Sequence, residues 1–275
     1  MMLAVTFESD QPDERRAGND KPARPAAPAM PREHGAWGIL LVPFISAVAV
    51  AGVFNLPVVL LLGSILSFYI ARTSWLKSDM RWTIRLLAVS GLLAVPLLAV
   101  WRLWWLPVFA VVALPLAARK TGHGLAMQLA SIAGLTLTAP AAWYAATGHL
   151  DGRAAMLWVL NALYFVGGVF HVKMHLAAAI NRVPLDAMRD RWRTGSRNLV
   201  YHVGAMAVVA GLSACGWVPA AVLAGFGLAL GRAMVATMML SPKLRIKRLG
   251  WSEVVFSLVF MVLVVVALRM ESLPT

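Results

Sequence analysis

Apolar residues gather in nine nearly uncharged stretches, at roughly 37–54, 56–71, 86–101, 103–118, 125–146, 155–175, 199–215, 217–240 and 252–269. A backbone surrounded by hydrocarbon must satisfy its N–H and C=O groups within the segment, so each stretch is expected to be an α-helix. A crossing takes about 20 residues, which leaves 86–101 and 103–118 short. Between those two lies Trp101-Arg102-Leu103-Trp104-Trp105, indoles and a guanidinium of the kind that settles at a headgroup layer and marks a turn. Pro43, Pro96, Pro107, Pro115, Pro140 and Pro219 fall inside or at the ends of stretches, as membrane helices tolerate when neighbours re-satisfy the freed carbonyls. The pattern predicts an all-α, polytopic integral membrane protein with about nine transmembrane helices in one domain, residues 31–275.

Residues 1–30 lack this pattern. Gln11-Pro12-Asp13-Glu14-Arg15-Arg16 followed by Pro22, Pro25 and Pro28 is expected to form a disordered cytoplasmic tail. It has no apolar run of signal-peptide type, so the first membrane segment is expected to direct insertion.

Composition narrows the class. With 60% hydrophobic and 13% charged residues, against about 45–50% and 25% in soluble domains, a soluble single-domain enzyme is excluded. The formal charge of +13 would suit nucleic acid, but the basic residues sit between apolar runs, so anionic membrane lipid is the expected partner and nucleic acid is not. Cys215 has no second cysteine to pair with and reads as structural filler.

The basic residues also give an orientation. The tail holds five, and the connections after the second, fourth, sixth and eighth stretches hold four, two, six and four, which places 21 on one side. Arg102, Arg153 and Arg269 are the three on the other, and Arg232 lies within the eighth stretch. An asymmetry of this size puts the N-terminus in the cytoplasm and the C-terminus outside.

Three polar clusters stand at the cytoplasmic ends of the stretches. Pro31-Arg32-Glu33-His34-Gly35-Ala36-Trp37 opens the first, where structural roles suit every residue except His34. His171-Val172-Lys173-Met174-His175 ends the sixth, its histidines one helical turn apart on one face, as in helical sites for zinc, iron or haem iron. Then comes Asp186-Ala187-Met188-Arg189-Asp190-Arg191-Trp192-Arg193, continuing to Gly195, Arg197 and Asn198. Asp186 and Asp190 could together hold magnesium while the arginines clamp phosphate. Alternatively, the carboxylates pair with the arginines and the remaining cations meet lipid.

The opening motif at 31–37, running straight into a membrane helix, resembles the YwiC-like family of bacterial membrane proteins, as does the His171/His175 region. That resemblance implies a bacterial inner-membrane location. More distantly, nine helices with cytoplasmic connections after the second and sixth resemble the UbiA prenyltransferase superfamily, which transfers prenyl chains from prenyl diphosphates. The resemblance implies a UbiA-like bundle with two carboxylate motifs holding magnesium on the diphosphate. Asp186 and Asp190 match the second motif, though Gly195 comes one residue late and Asn198 replaces the usual Thr. Where the first motif carries several carboxylates, Arg72-Thr73-Ser74-Trp75-Leu76-Lys77-Ser78-Asp79 has one. Arg119-Lys120-Thr121 is similar to a basic signature after the fourth helix.

The leading expectation is a cytoplasmic-side cavity for a polyprenyl diphosphate or similar anionic amphiphile. Asp186, Asp190 and Asp79 are its candidate catalytic carboxylates. His34, Arg72, Lys77, Arg119, Lys120, His171, Lys173, His175 and Arg197 are its candidate substrate-binding residues. Two alternatives use other residues: a metal- or haem-associated redox protein built on His34, His171 and His175 with His202, or a small-molecule transporter with Arg232 and Gln128 on its pathway. The orientation yields the first prediction: a reporter active only outside the cytoplasm is expected to be active when fused after Thr275 and inactive near Asp190. The reverse pattern would contradict both the helix count and the orientation.

Overall fold

The computed structural model describes residues 27, 28, 30, 34–104, 124–180, 185, 187–243 and 246–271, with positions 34, 36 and 246 described by backbone alone. Most of the tail, most of the 103–118 stretch, Arg119, Lys120 and Asp186 lie outside the described residues. What is described is helical: α1 His34–Ala51, α2 Leu56–Leu76, α3 Met80–Ala99, α4 Leu125–Thr136, α5 Thr138–Thr147, α6 Gly152–Ile180, α7 Met188–Ala214, α8 Leu223–Met238 preceded by a 3-10 turn at Ala220–Val222, and α9 Ile246–Glu271.

Among the described residues, six helical stretches are long and apolar enough to cross a membrane: Leu56–Leu76, Met80–Ala99, Leu125–Thr147, Gly152–Ile180, Ala220–Met238 and Lys247–Glu271. They coincide with six of the nine expected stretches. The apolar part of α1, Trp37–Ala51, is shorter. The stretch expected at 199–215 is instead the second half of α7, whose arginine-rich first turns dilute its hydropathy. The stretch expected at 125–146 is two helices meeting at Leu137, where Thr138 abandons the α4 ladder and its hydroxyl donates to Leu40 O of α1 at 3.0 Å.

Turn chemistry sets the ends. α1 stops at Gly52, whose φ of 69° suits a residue without Cβ. Asn55 then caps α2, accepting from Val58 N at 3.2 Å, while its amide donates to Ala146 O at 3.1 Å and ties this turn to the end of α5. Asp79 caps α3, and Asp151 accepts from Arg153 N and Ala154 N at the start of α6.

α2 and α3 form a hairpin joined by reciprocal Ser64 and Ser90 hydrogen bonds, and α2 rests on α5. α1 packs between α5 and α9, so Phe44 and Ala47 meet Val58, Ala142, Trp143 and Leu157 on one side. α6, α7, α8 and α9 make a second bundle around Leu160, Val209, Phe226, Phe260 and Val264. Outward residues such as Ile84, Leu92 and Val95 are apolar and exposed, as contact with lipid requires.

Where α7 crosses α8, a Cβ on Gly195 would overlap the Thr237 side chain, whereas one on Gly204 meets nothing within 4 Å. Gly195→Val is therefore expected to destabilise the folded protein by about 1–3 kcal/mol. Gly204→Ala should be neutral or stabilising by up to about 1 kcal/mol. Thermal unfolding of the two variants in detergent tests this pair.

Candidate functional site

Polar residues inside the second bundle converge on one layer. The inward stripe of α9 reads Glu253, Ser257, Phe260, Val264 and Ala267, so a single carboxylate heads a seam that is otherwise uncharged. Glu253 lies seven residues after the start of α9, roughly 10 Å along the helix. Facing it from α8 is Arg232, whose Nη1 donates to Oε2 at 3.3 Å while Nη2 pairs with Oε1. The guanidinium also lies 4.5 Å from the Phe256 ring centre, a cation–π contact.

Three histidines surround this pair. His171 of α6 is 4% exposed and its Nε2 is 3.9 Å from Glu253 Oε1, beyond hydrogen-bonding reach but within that of an ion pair. His175 follows one turn nearer the charged end, with its ring centre 4.9 Å from that of His171. His202 of α7 has Nδ1 2.8 Å from Asn198 O; a carbonyl only accepts, so Nδ1 carries the proton and the neutral ring keeps Nε2 as an acceptor. Tyr164, stacked on Phe260 at 3.9 Å, closes the layer. Tyr164, Gly168, His171, His202, Ala229, Arg232 and Glu253 line a cavity of about 10 Å³, room for about one water.

The approach is possible because α6 carries Gly167-Gly168 at this level. A Cβ on Gly167 would stand 2.9 Å from His202 Nε2, and one on Gly168 would stand 3.3 Å from Glu253 Oε2. Apolar residues flank the site on both sides, and the ion pair itself is part-buried. Phe226, Phe260 and Val264 lie toward the sparsely charged end, while Met174, Ala178, Leu185 and Leu240 lie toward the other.

The remaining expected site residues are placed differently. Asp79 Oδ1 accepts from Trp82 N, and its Oδ2 is buried without a hydrogen-bond partner among the described residues, which leaves one oxygen for a hard cation. Asp190 lies in the first turn of α7. α2 packs on α3 and on α5, whereas α7 packs on α6 and α8, so Asp79 and Asp190 belong to different packing groups of helices. Lys77 is exposed at the end of α2, and Arg72 is half-buried a turn earlier. Arg191, counted with the basic loop, instead fastens helix ends, with Nε donating to Leu185 O at 2.7 Å and Nη1 to Met238 O at 2.8 Å. Gln128 lies on α4 away from the cavity. Among the described residues, no three His, Cys, Asp or Glu side chains stand close enough to share a metal ion. Glu253, the partner that Arg232 requires, was missed by sequence reasoning. The available signal was a lone carboxylate at the head of an apolar stretch in a chain with one intramembrane arginine.

A helical membrane-type bundle with a buried ionic layer is the class these features define. In the family comparison, residues 30–143 match the family described as YwiC-like protein. The chain is also 28% identical over 168 residues to the uncharacterized protein YwiC of Bacillus subtilis (strain 168), covering 56% of this chain and 69% of that protein. The resemblance carried by the opening motif at 31–37 is thereby supported. No solved structure matches.

Removing one member of a buried pair strands the other charge, whereas removing both does not. Arg232→Met alone is expected to cost about 3–5 kcal/mol, and Arg232→Met with Glu253→Met should recover most of it. A double-mutant cycle on thermal or denaturant unfolding measures the difference.

Proposed function

We propose that this is a polytopic protein of the bacterial inner membrane, N-terminus inside and C-terminus outside, that binds a polyprenyl diphosphate or similar anionic amphiphile at its charged end. One juxtaposition carries the reading. An apolar groove of about 190 Å³ is lined by Trp158, Val159, Ala162, Leu163 and Val166 of α6 and by Tyr201 of α7. Arg197 is exposed one turn from Tyr201 toward the charged end, and Lys173 lies seven residues beyond Val166 in the same direction. Phe170 stacks on Tyr201 of the groove wall at 4.7 Å. A lipid tail along the groove would bring its headgroup to these two cations, which neutralise phosphate by charge-assisted hydrogen bonds.

Asp190, with Asp186, would hold magnesium on such a diphosphate, and Asp79 has a free oxygen for the same class of ion. Bound there, the metal would supply the charge that a departing diphosphate needs, and this is the transferase version of the reading, in keeping with the distant UbiA resemblance. What this chain's residues contribute is the groove, the two cations and the carboxylates. Arg72, Lys77, Arg119, Lys120 and His34 belong to the same cytoplasmic side in this reading.

Binding of farnesyl diphosphate to the purified protein in nanodiscs tests it. Lys173→Ala and Arg197→Ala are each expected to weaken binding by about tenfold, the loss of one charge-assisted contact. Ala162→Phe, which fills the groove, should abolish it, while Glu271→Ala leaves it unchanged. Magnesium dependence lost in Asp190→Ala supports the transferase version. Binding that is magnesium-independent yet sensitive to Lys173 and Arg197 supports the amphiphile site without catalysis. Unaltered binding in both Ala162→Phe and Arg197→Ala overturns the reading.

A further inference from the structure

We propose that the outward face of α7 is a binding site for a phospholipid with an anionic headgroup, of the phosphatidylglycerol type. At about 100° per residue, Arg189, Arg193, Val200, Gly204, Ala207 and Gly211 fall within about 40° of one line along the helix. The buried residues of α7, Gly195, Asn198, Ala205 and Val209, are centred about 180° away from it. All six residues of the line are exposed, Val200 at 71%. One face of a single helix is therefore cationic in its first turns and apolar beyond them. The site goes beyond the amphiphile reading and shares no residue with it. Tyr201 turns toward α6, where its hydroxyl donates to Leu163 O at 2.8 Å, and Arg197 lies on that flank of the helix.

Charge decides the occupant. The ion pairs among the described residues join His149, His171 and Arg232 to Asp151 and Glu253, so neither Arg189 nor Arg193 is paired with a carboxylate there. Asp190, the acid in the first turn of α7, takes part in none of them. Two unpaired guanidinium groups one turn apart attract anionic headgroups at a membrane surface. Between them in sequence stands Trp192, 39% exposed, an indole of the kind that settles at the headgroup layer. A second copy of this chain, in the same membrane orientation, would bring its own Arg189 and Arg193 against these and set four like charges at one level. A zwitterionic headgroup would bring its own cation to them. An anionic headgroup meets neither penalty.

Dimensions agree with a lipid. Arg193 precedes Val200, the first apolar residue of the line, by about 10 Å along the axis. A headgroup layer is roughly 5–7 Å deep outside the hydrocarbon, and a long arginine side chain bends along the helix to place its guanidinium there. Its planar fork of donors matches a phosphate. Arg189, about 6 Å further out, adds its field within a Debye length of about 8 Å. On the apolar side, Gly204 and Gly211 are open: a Cβ on either would meet nothing within 4 Å. Val203 and Val208, 55% and 49% exposed, stand on the two flanks. Between them runs a shallow track, about 16 Å from Val200 to Gly211, where an acyl chain lies against the backbone.

The test offers the full chain, purified in detergent, an equimolar mixture of phosphatidylglycerol and phosphatidylcholine and counts the retained lipids by native mass spectrometry. The wild type is expected to retain phosphatidylglycerol in preference. Arg189→Gln and Arg193→Gln should each lower that preference about fivefold, and the two together further, whereas Arg189→Lys with Arg193→Lys keeps most of it. Gly204→Phe, which obstructs the track, should lower retention of phosphatidylglycerol while both arginines remain. All these positions are exposed, and thermal unfolding in lipid-free detergent confirms that each variant is folded. The proposal is overturned by equal retention of the two lipids in the wild type or by a preference that survives Arg189→Gln with Arg193→Gln. It is also overturned by a wild-type dimer that Gly204→Phe splits, which would make this face an interface between copies. Phosphatidylglycerol preference is expected to be unchanged in Lys173→Ala and Ala162→Phe, and farnesyl diphosphate binding unchanged in Arg189→Gln with Arg193→Gln, so the two sites fail separately.

Discussion

A guanidinium drawn into an apolar bundle has to be answered by a carboxylate on a neighbouring helix, and the Arg232–Glu253 pair imposes that condition on the whole second bundle. It sets the register of α8 against α9, since the two residues must meet at one level although each sits in a helix that is otherwise apolar. Arg191 holds the end of α8 by bonding Met238 O, which keeps that register from slipping. It also requires α6 to come close without side chains of its own, and the Gly167-Gly168 pair meets that requirement. The histidines then fill positions where a neutral polar ring can satisfy the layer without adding charge.

Much of the fold could be read from the apolar stretches because hydrocarbon leaves the backbone few options. Six of the expected stretches became helices of spanning length in nearly the expected places. Reading failed where short-range chemistry overrode the pattern. One apolar stretch divides into two helices at Leu137, where the Thr138 hydroxyl donates back to Leu135 O as well as across to Leu40 O of α1. α7 begins well before its apolar half because arginines are good helix formers, so its polar–apolar boundary does not mark the helix boundary.

The candidate site was legible only in part, for a related reason. His171 and His175 were recognised from their one-turn spacing, and they do share a face. Glu253 carries no local pairing signal, because its partner is 21 residues away on another helix. Asp79 had a local explanation that spacing alone could not reveal, since an aspartate just before Met80 caps α3. The result is a molecule with polar chemistry in two places: a basic rim beside an apolar groove, and an ionic layer within.

The packing of α9 against α1 also has a bearing on how the chain is made. Among the described helices the earliest, α1, is completed by the latest, α9, along a contact that runs from Gly38 beside Ser257 to Gly52 beneath Arg269. Until α9 emerges from the ribosome, α1 keeps one flank uncovered and Arg232 sits in the bilayer without its counter-charge. A nascent chain stalled before residue 246 would thus display an unpaired intramembrane cation.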